Sequence, residues 1–261
     1  MISSSAVDCG VASLFTISGR DVLFAHWPVD PDRLAATLPR PLEPDVHDGS
    51  AWVSVLALES GLGGPALPGR WFPQLNVRTY VTVDGGPGVY FRSLETGRRA
   101  AAVAGRRAFG LPFRHARMRT TRRGDRVTFR SRRTVNGGPT AAFRARYRPD
   151  GDAYEAAPGS LEAFCVERFR YYLPAGEDHR AGLLRRPGPR ADGVSVGRIQ
   201  REPWTLRPVE TTIRENTLFD AVDLPTPTAD PTLLYSPGFE MGIGPLRGRR
   251  TGGKGDTDAG P

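Results

Sequence analysis

The chain alternates apolar and polar residues with a period of two, in short runs cut by glycine and proline, and that pattern favours turns and short strands over a helical bundle. Asn76-Val-Arg-Thr-Tyr-Val-Thr-Val83 and Val89-Tyr-Phe-Arg-Ser-Leu94 flank Asp84-Gly-Gly-Pro-Gly88, which predicts a β-hairpin. Leu23–Trp27, Ala51–Leu58, Arg126–Arg132, Phe143–Arg148, Phe169–Leu173, Val194–Gln200, Leu233–Tyr235 and Phe239–Met241 are further strand candidates. With 31 glycines and 24 prolines in 261 residues, turns are frequent. Helices are predicted after Asp30-Pro31, over Thr96–Phe109 with Gly110 and Pro112 as its stop, over Leu161–Arg168 behind a Ser160 cap, and over Val209–Leu218. Gly61–Pro73 and Pro174–Asp192 are predicted to connect elements. The expected architecture is α+β: one domain over residues 15–246, built as a large antiparallel β-barrel or curled sheet with a few flanking helices. Residues 1–14 and 247–261 are expected to be disordered tails.

The cations are almost all of one kind. Of 36 basic residues, only Lys254 is lysine. A Schiff base needs a lysine amine in a desolvated pocket, and arginine neither loses its proton nor condenses with a ketone. Lysine-based covalent catalysis is therefore excluded. The charge is also uneven: Arg98–Arg148 holds sixteen arginines and one acid, Asp125, a segment of +15 in a chain whose total is +8. Such a segment suits an anionic ligand, a nucleic acid or an acidic partner. Within it, Arg126, Arg130 and Arg132 alternate with Val127 and Phe129, and Arg144, Arg146 and Arg148 alternate with Phe143, Ala145 and Tyr147. The arginine rows are expected on the outer face of paired strands. Val127, Phe129, Phe143 and Tyr147 are expected in the barrel interior, because burying unpaired guanidiniums is costly.

Other classes fall away quickly. No stretch has the roughly 20 apolar residues of a membrane helix, and Met1–Gly19 lacks a basic region ahead of its weak apolar stretch, so neither a membrane span nor a signal peptide is expected. A soluble cytoplasmic protein is the expectation. Cys9 and Cys165 make no disulfide framework, and His26, His47, His115 and His179 share no metal-ligand spacing. No metal and no cofactor are expected.

Several phrases carry a resemblance: Phe24-Ala-His-Trp27, Asp48-Gly-Ser-Ala-Trp-Val53, Asn76-Val-Arg-Thr-Tyr-Val81, Gly88-Val-Tyr-Phe-Arg-Ser-Leu94, Gly159-Ser-Leu-Glu-Ala-Phe164, Glu167-Arg168 and Pro203-Trp204. Together they resemble the DUF2071, or YqjF-like, family, collinearly from about residue 20 to 245. That family is similar in fold to acetoacetate decarboxylase, which implies a large antiparallel barrel with an interior ligand cavity. The decarboxylase lysine pair follows a Gly-x-Pro. In Gly110-Leu-Pro-Phe-Arg-His-Ala116 the corresponding positions are Phe113, Arg114 and His115. Where the family pattern has a glutamate before Asn-Val-Arg-Thr-Tyr, this chain has Gln74, and where it has a histidine before Pro-Trp, this chain has Arg201. These departures argue against decarboxylation.

What the resemblance leaves is a cavity lined by Arg78 and the Gly110–Ala116 segment. Arg78, Tyr80, Gln74 and His26 are the candidate ligand-binding residues, and His115 and Arg114 the candidate catalytic ones. Arg78, mid-strand among apolar neighbours, suits a bidentate clamp on a carboxylate or phosphate; the alternative is an internal ion pair with Glu95 or Glu162. His115 titrates near neutrality, as a general acid or base requires. The leading functional expectation is a small-molecule binder for an organic anion such as a keto acid, or a lyase- or hydratase-like enzyme working without a Schiff base. One alternative is a polyanion or nucleic-acid binder using Arg98–Arg148. Against it, the aromatics there do not share a face with the arginines, as a stacking platform requires. The other alternative is a non-catalytic scaffold.

Overall fold

A computed structural model of the chain describes residues 15–62, 71–134, 140–174 and 193–250. In chain order the elements are β1 (Phe15–Val29), α1 (Pro31–Ala35), β2 (Glu43–Pro44), β3 (Ala51–Leu62), β4 (Phe72–Val83), β5 (Gly86–Thr96), α2 (Arg99–Phe109), β6 (Phe113–His115), β7 (Arg117–Arg123), β8 (Arg126–Arg133), β9 (Ala141–Pro149), α3 (Leu161–Val166), β10 (Arg170–Pro174), β11 (Gly193–Gln200), β12 (Val209–Asn216), a 3-10 turn at Asp220–Val222, β13 (Thr232–Ile243) and β14 (Arg247–Arg250). The protein is mostly sheet with few helices, and each helix has its sequence cause. Asp30 caps α1 by accepting from the Arg33 amide, Ser160 caps α3 through the Ala163 amide, and α2 stops where Gly110 turns left-handed at φ 65°. Among the described residues no helix is long and apolar enough to cross a membrane.

Ten strands form one sheet whose pairings run β4–β3–β1–β13–β11–β10–β5 and return to β4, so seven of them make a ring. Most of the ring is long antiparallel ladder. It closes through two short seams: Ile199 and Gln200 opposite Ile243 and Gly242, and the single parallel pair Tyr171–Val89. Strands β12, β9, β8 and β7 form a second, antiparallel sheet.

Parity assigns the layers. Val22, Phe24, Trp52, Leu56, Leu58, Tyr80, Val89 and Trp204 pack in one core cluster on the inner face of the ring. The alternate residues Leu23, Ala25, Val53, Val55, Leu75 and Val77 face outward and pack against Val127, Phe129, Phe143, Ala145 and Tyr147 of the second sheet. Val127, Phe129, Phe143 and Tyr147 are thus buried between the sheets and not inside the ring, which corrects the expected location. Alternation marks them as buried on one side; it carries no information on which of two apolar faces they meet. The arginines between them lie on the solvent side: Arg126, Arg130, Arg132 and Arg146 are exposed, Arg144 and Arg148 half-exposed.

Two polar clusters pin the sheets together. Glu95, fully buried, accepts from Ser131 at 2.9 Å and from Arg133 Nε at 2.8 Å. Asp21 accepts from Tyr235 at 2.8 Å and pairs with Arg122, and its carbonyl accepts from Tyr147.

Two further expectations change. Val209–Leu218 is not helical; Val209, Thr211 and Ile213 alternate with outward residues along β12, the register that puts Glu210 opposite Arg148 and Glu215 opposite Arg144. Arg247–Arg250, expected in a disordered tail, pairs with β11 as β14. The expected tail at 1–14, much of the predicted connectors (63–70 and 175–192) and residues 251–261 lie outside the described residues.

Candidate functional site inside the strand ring

Three inward positions fall in one cross-strand row: His26 on β1 opposite Ser54 on β3, and Ser54 opposite Arg78 on β4. Tyr80 is the next inward residue of β4. All four are buried. Ser54 Oγ lies 2.7 Å from His26 Nδ1 and 2.8 Å from the Tyr80 hydroxyl, which is itself 3.1 Å from His26 Nδ1. Both hydroxyls therefore serve one imidazole nitrogen, while His26 Nε2 is buried without a partner among the described residues. Burial, and secondarily the charge of Arg78, pushes the His26 pKa well below its usual value, so the imidazole is neutral at pH 7. Burial raises the Tyr80 phenol far above its ordinary range.

The end of α3 closes over this row. Its last carbonyls each take a guanidinium: Phe164 from Arg168 Nε at 2.6 Å, Cys165 from Arg78 Nη2 at 2.9 Å, and Val166 from Arg201 Nη2 at 2.6 Å. Cations are favoured at a helix C-terminus, where the carbonyls are unpaired. The indole of Trp204 donates to the Val166 carbonyl as well. Arg168 and Arg201 then find carboxylates: Arg168 Nη1 is 2.6 Å from Asp45, and Arg201 Nη1 is 2.9 Å from Glu167 Oε2. Arg78 finds none. Among the described residues no acid forms an ion pair with it, its Nε is buried without a partner, and its guanidinium stands over the ring of Tyr80, 5.6 Å from the centroid. Three arginines converge here on two carboxylates.

The Cys165 thiol is pushed up to about 12 by burial and is no nucleophile at neutral pH. No group of three His, Cys, Asp or Glu side chains among the described residues is arranged to hold a metal ion.

Of the sequence candidates, the structure brings His26, Arg78 and Tyr80 together. Gln74 shares their face but lies four residues along β4 from Arg78, roughly 13 Å away, and donates to Asn76 at 2.9 Å. His115 pairs in register with Thr96, which pairs with Gln74, so it belongs to that far end of the strands and not to the row. Arg114 pairs with Glu95, whose side chain lies on the outer face. Glu95 is also unavailable to Arg78, because it sits on the opposite side of the sheet, held by Arg133. Ser54, the Arg201–Glu167 pair and the carbonyls of α3 are functional groups that the sequence candidates do not include. The sequence does hold a signal for Ser54: it is the one polar residue in Ala51-Trp-Val-Ser-Val-Leu-Ala-Leu58.

The profile of DUF2071, described as an uncharacterized conserved protein, matches residues 16–240. The chain belongs to the DUF2071 family. The uncharacterized protein YqjF of Bacillus subtilis (strain 168) is 38% identical to this DUF2071 protein over 232 residues, which cover 87% of this chain and 89% of YqjF. Among solved structures, the enduracididine biosynthesis enzyme MppR complexed with pyruvate aligns with a TM-score of 0.58 at 13% identity, over 94% of both chains. Acetoacetate decarboxylase from Legionella pneumophila aligns with a TM-score of 0.56 at 15% identity, over 95% of this chain and 92% of the decarboxylase. At these identities the likeness establishes the fold, which is acetoacetate decarboxylase-like.

Proposed function

We propose that this protein binds a small organic anion of the keto acid class in a cavity inside the strand ring, which acts as a closed barrel, with Arg78 taking the carboxylate. The observation that carries the reading is the unbalanced charge: Arg168 has Asp45, Arg201 has Glu167, and the buried Arg78 has a helix-end carbonyl and the Tyr80 ring but no carboxylate among the described residues. An unpaired buried cation is expensive, and a ligand carboxylate removes that expense. Pyruvate, with which MppR is complexed, is the kind of anion such a site would take.

The neighbours suit such a ligand. With Nδ1 accepting from the hydroxyls of Ser54 and Tyr80, the neutral His26 carries its proton on Nε2, where it donates to a carbonyl oxygen of the bound anion. That is enough to orient a keto acid. Where turnover occurs, it supplies the proton transfer of lyase- or hydratase-like chemistry. Iminium chemistry has no support, since the single lysine, Lys254, belongs to the segment expected to be a tail. His115 and Arg114, at the far end and on the outer side, have no role in this reading.

Thermal melting with pyruvate and acetoacetate, against acetone as the neutral control, tests it. A ligand at about 100 times its Kd adds roughly 2.7 kcal/mol of stability. The wild type is expected to be stabilised by the acids and not by acetone, and Arg78→Met to lose the response. An equal response in the variant, or none in the wild type, overturns the reading.

A further inference from the structure

The solvent face of the second sheet is concave where β7, β8 and β9 meet, and encloses about 580 Å³. Five guanidiniums line it, from Arg119, Arg123, Arg126, Arg130 and Arg146, together with the hydroxyls of Thr121 and Thr128, against one carboxylate, Asp125. The register opposes like charges directly: Arg117 faces Arg132, Arg119 faces Arg130, Arg123 faces Arg126, and Arg130 also faces Arg144. Like charges directly opposite each other across two strands are destabilising. Here the acids stand at the margins: Asp125 in the β7–β8 turn and, on β12, Glu210, which pairs with Arg148 at 2.7 Å, and Glu215, which approaches Arg132 at 3.8 Å. None of the five lining arginines is in an ion pair among the described residues. The groove is a built concentration of unneutralised charge.

Its chemistry narrows the occupant. Guanidinium forks and threonine hydroxyls are donors matched to phosphate oxygens. No aromatic or apolar side chain lines the groove, so a base has no ring to stack on. Three strands span about 10 Å across, and Arg119 to Arg123 about 13 Å along, which is room for a slim, flexible anion. We propose that this groove binds inorganic polyphosphate, a linear chain of phosphates carrying no bases. The site is separate from the ring interior and does not depend on its ligand.

Binding of a polyphosphate of about a dozen units, followed by titration calorimetry at 50 and 200 mM salt, tests this. Five phosphate contacts give a salt slope near 3.5, so the wild type is expected to weaken roughly 100-fold between the two salts. Arg126→Ala/Arg130→Ala/Arg146→Ala keeps two contacts and is expected to weaken only about sevenfold, from a much poorer starting affinity. Arg98→Ala/Arg99→Ala/Arg107→Ala removes the same charge from exposed arginines of α2 and its approach, and is expected to behave as the wild type. If the first triple variant does not fold, the three single variants carry the test, each lowering the slope by about 0.7. Absence of polyphosphate binding, equal losses in the two triple variants, or tighter binding of single-stranded DNA, duplex DNA or polyglutamate at matched charge each overturn the proposal.

Discussion

Replacing Arg78 with methionine is expected to leave the unliganded protein as stable as the wild type, or more so, although it removes a buried, hydrogen-bonded side chain. The loss is the bond to the Cys165 carbonyl, worth about 1.5–3 kcal/mol for a charged donor, plus about 0.5–2 kcal/mol from the face of Tyr80. The gain is release from a desolvation penalty of several kcal/mol that no carboxylate offsets. Methionine refills the space of the arginine stem, so little cavity remains. The net change is expected between zero and about 2 kcal/mol in favour of the variant. Arg168→Met and Arg201→Met supply the comparison within the same helix end. Each takes the cation from a carboxylate, Asp45 or Glu167, with side-chain exposure of 23% and 21% respectively, Glu167 keeping only the amide of Trp204, and each is expected to cost about 3–5 kcal/mol. For a domain of this size 1 kcal/mol moves Tm by roughly 2–4 °C, so Arg78→Met is expected to melt on the order of 10 °C above the other two. Scanning calorimetry at pH 7 measures the gap. If Arg78→Met falls with the others, Arg78 is a structural cap of α3, and the charge imbalance carries no functional meaning.

Two further outcomes follow from the polar interior. Because the folded pKa of His26 is depressed, the unfolded chain binds its proton first as pH falls below about 6.5; stability contributed by neutral His26 is full above that pH and is lost below it, by up to about 1.4 kcal/mol per pH unit, down to the folded pKa. Urea midpoints of the wild type and His26→Gln, compared from pH 7.5 to 5.5, are expected to differ by a constant above 6.5 and to converge or cross below it, and a difference independent of pH contradicts a buried neutral imidazole. Glu95→Leu leaves Arg133 and Ser131 without their acceptor and is expected to cost about 3–5 kcal/mol, whereas Glu95→Leu/Arg133→Leu is expected to recover most of it. A double variant no better than the single would show that the pair does not act as a unit.

Strands are legible where one period rules. The hairpin of β4 and β5 and the arginine-alternating β8 and β9 follow from side chains that point to opposite faces in turn. What a single strand does not say is which neighbour its buried face meets. Val53 and Val55 are as apolar as Trp52 and Leu56, because β3 is covered on both sides, by the second sheet outside and by the ring contents within. That double cover is why alternation misplaces Val127, Phe129, Phe143 and Tyr147, and why Ser54 does not stand out as inward-facing. Val209–Asn216 misleads differently. Val209 and Ile213 satisfy a helical spacing of four as well as a strand spacing of two, and the β-branched Val, Thr, Thr and Ile are the better guide. The Arg201–Glu167 pair is out of reach, since it joins positions 34 residues apart that only the tertiary fold brings together.

Arginine count alone does not separate a solvated surface from a binding site; the accounting of acids does. On the second sheet Glu210 and Glu215 come from β12, so their compensation reaches Arg148 and Arg132 and leaves the arginines lining the groove without an ion pair among the described residues. Inside the ring Asp45 and Glu167 reach Arg168 and Arg201 and leave Arg78 bare. Both gaps are products of topology: the acids are supplied by segments distant in sequence, and each is fixed by register or by a helix end to a particular arginine. A guanidinium left over in water costs little, because water and salt screen it beyond about 8–10 Å. One left over at 7% exposure under a helix end has no such relief. The interior site is therefore expected to discriminate strongly between an anion and its neutral analogue at any salt, and the outer groove to bind in proportion to charge and to release as salt rises.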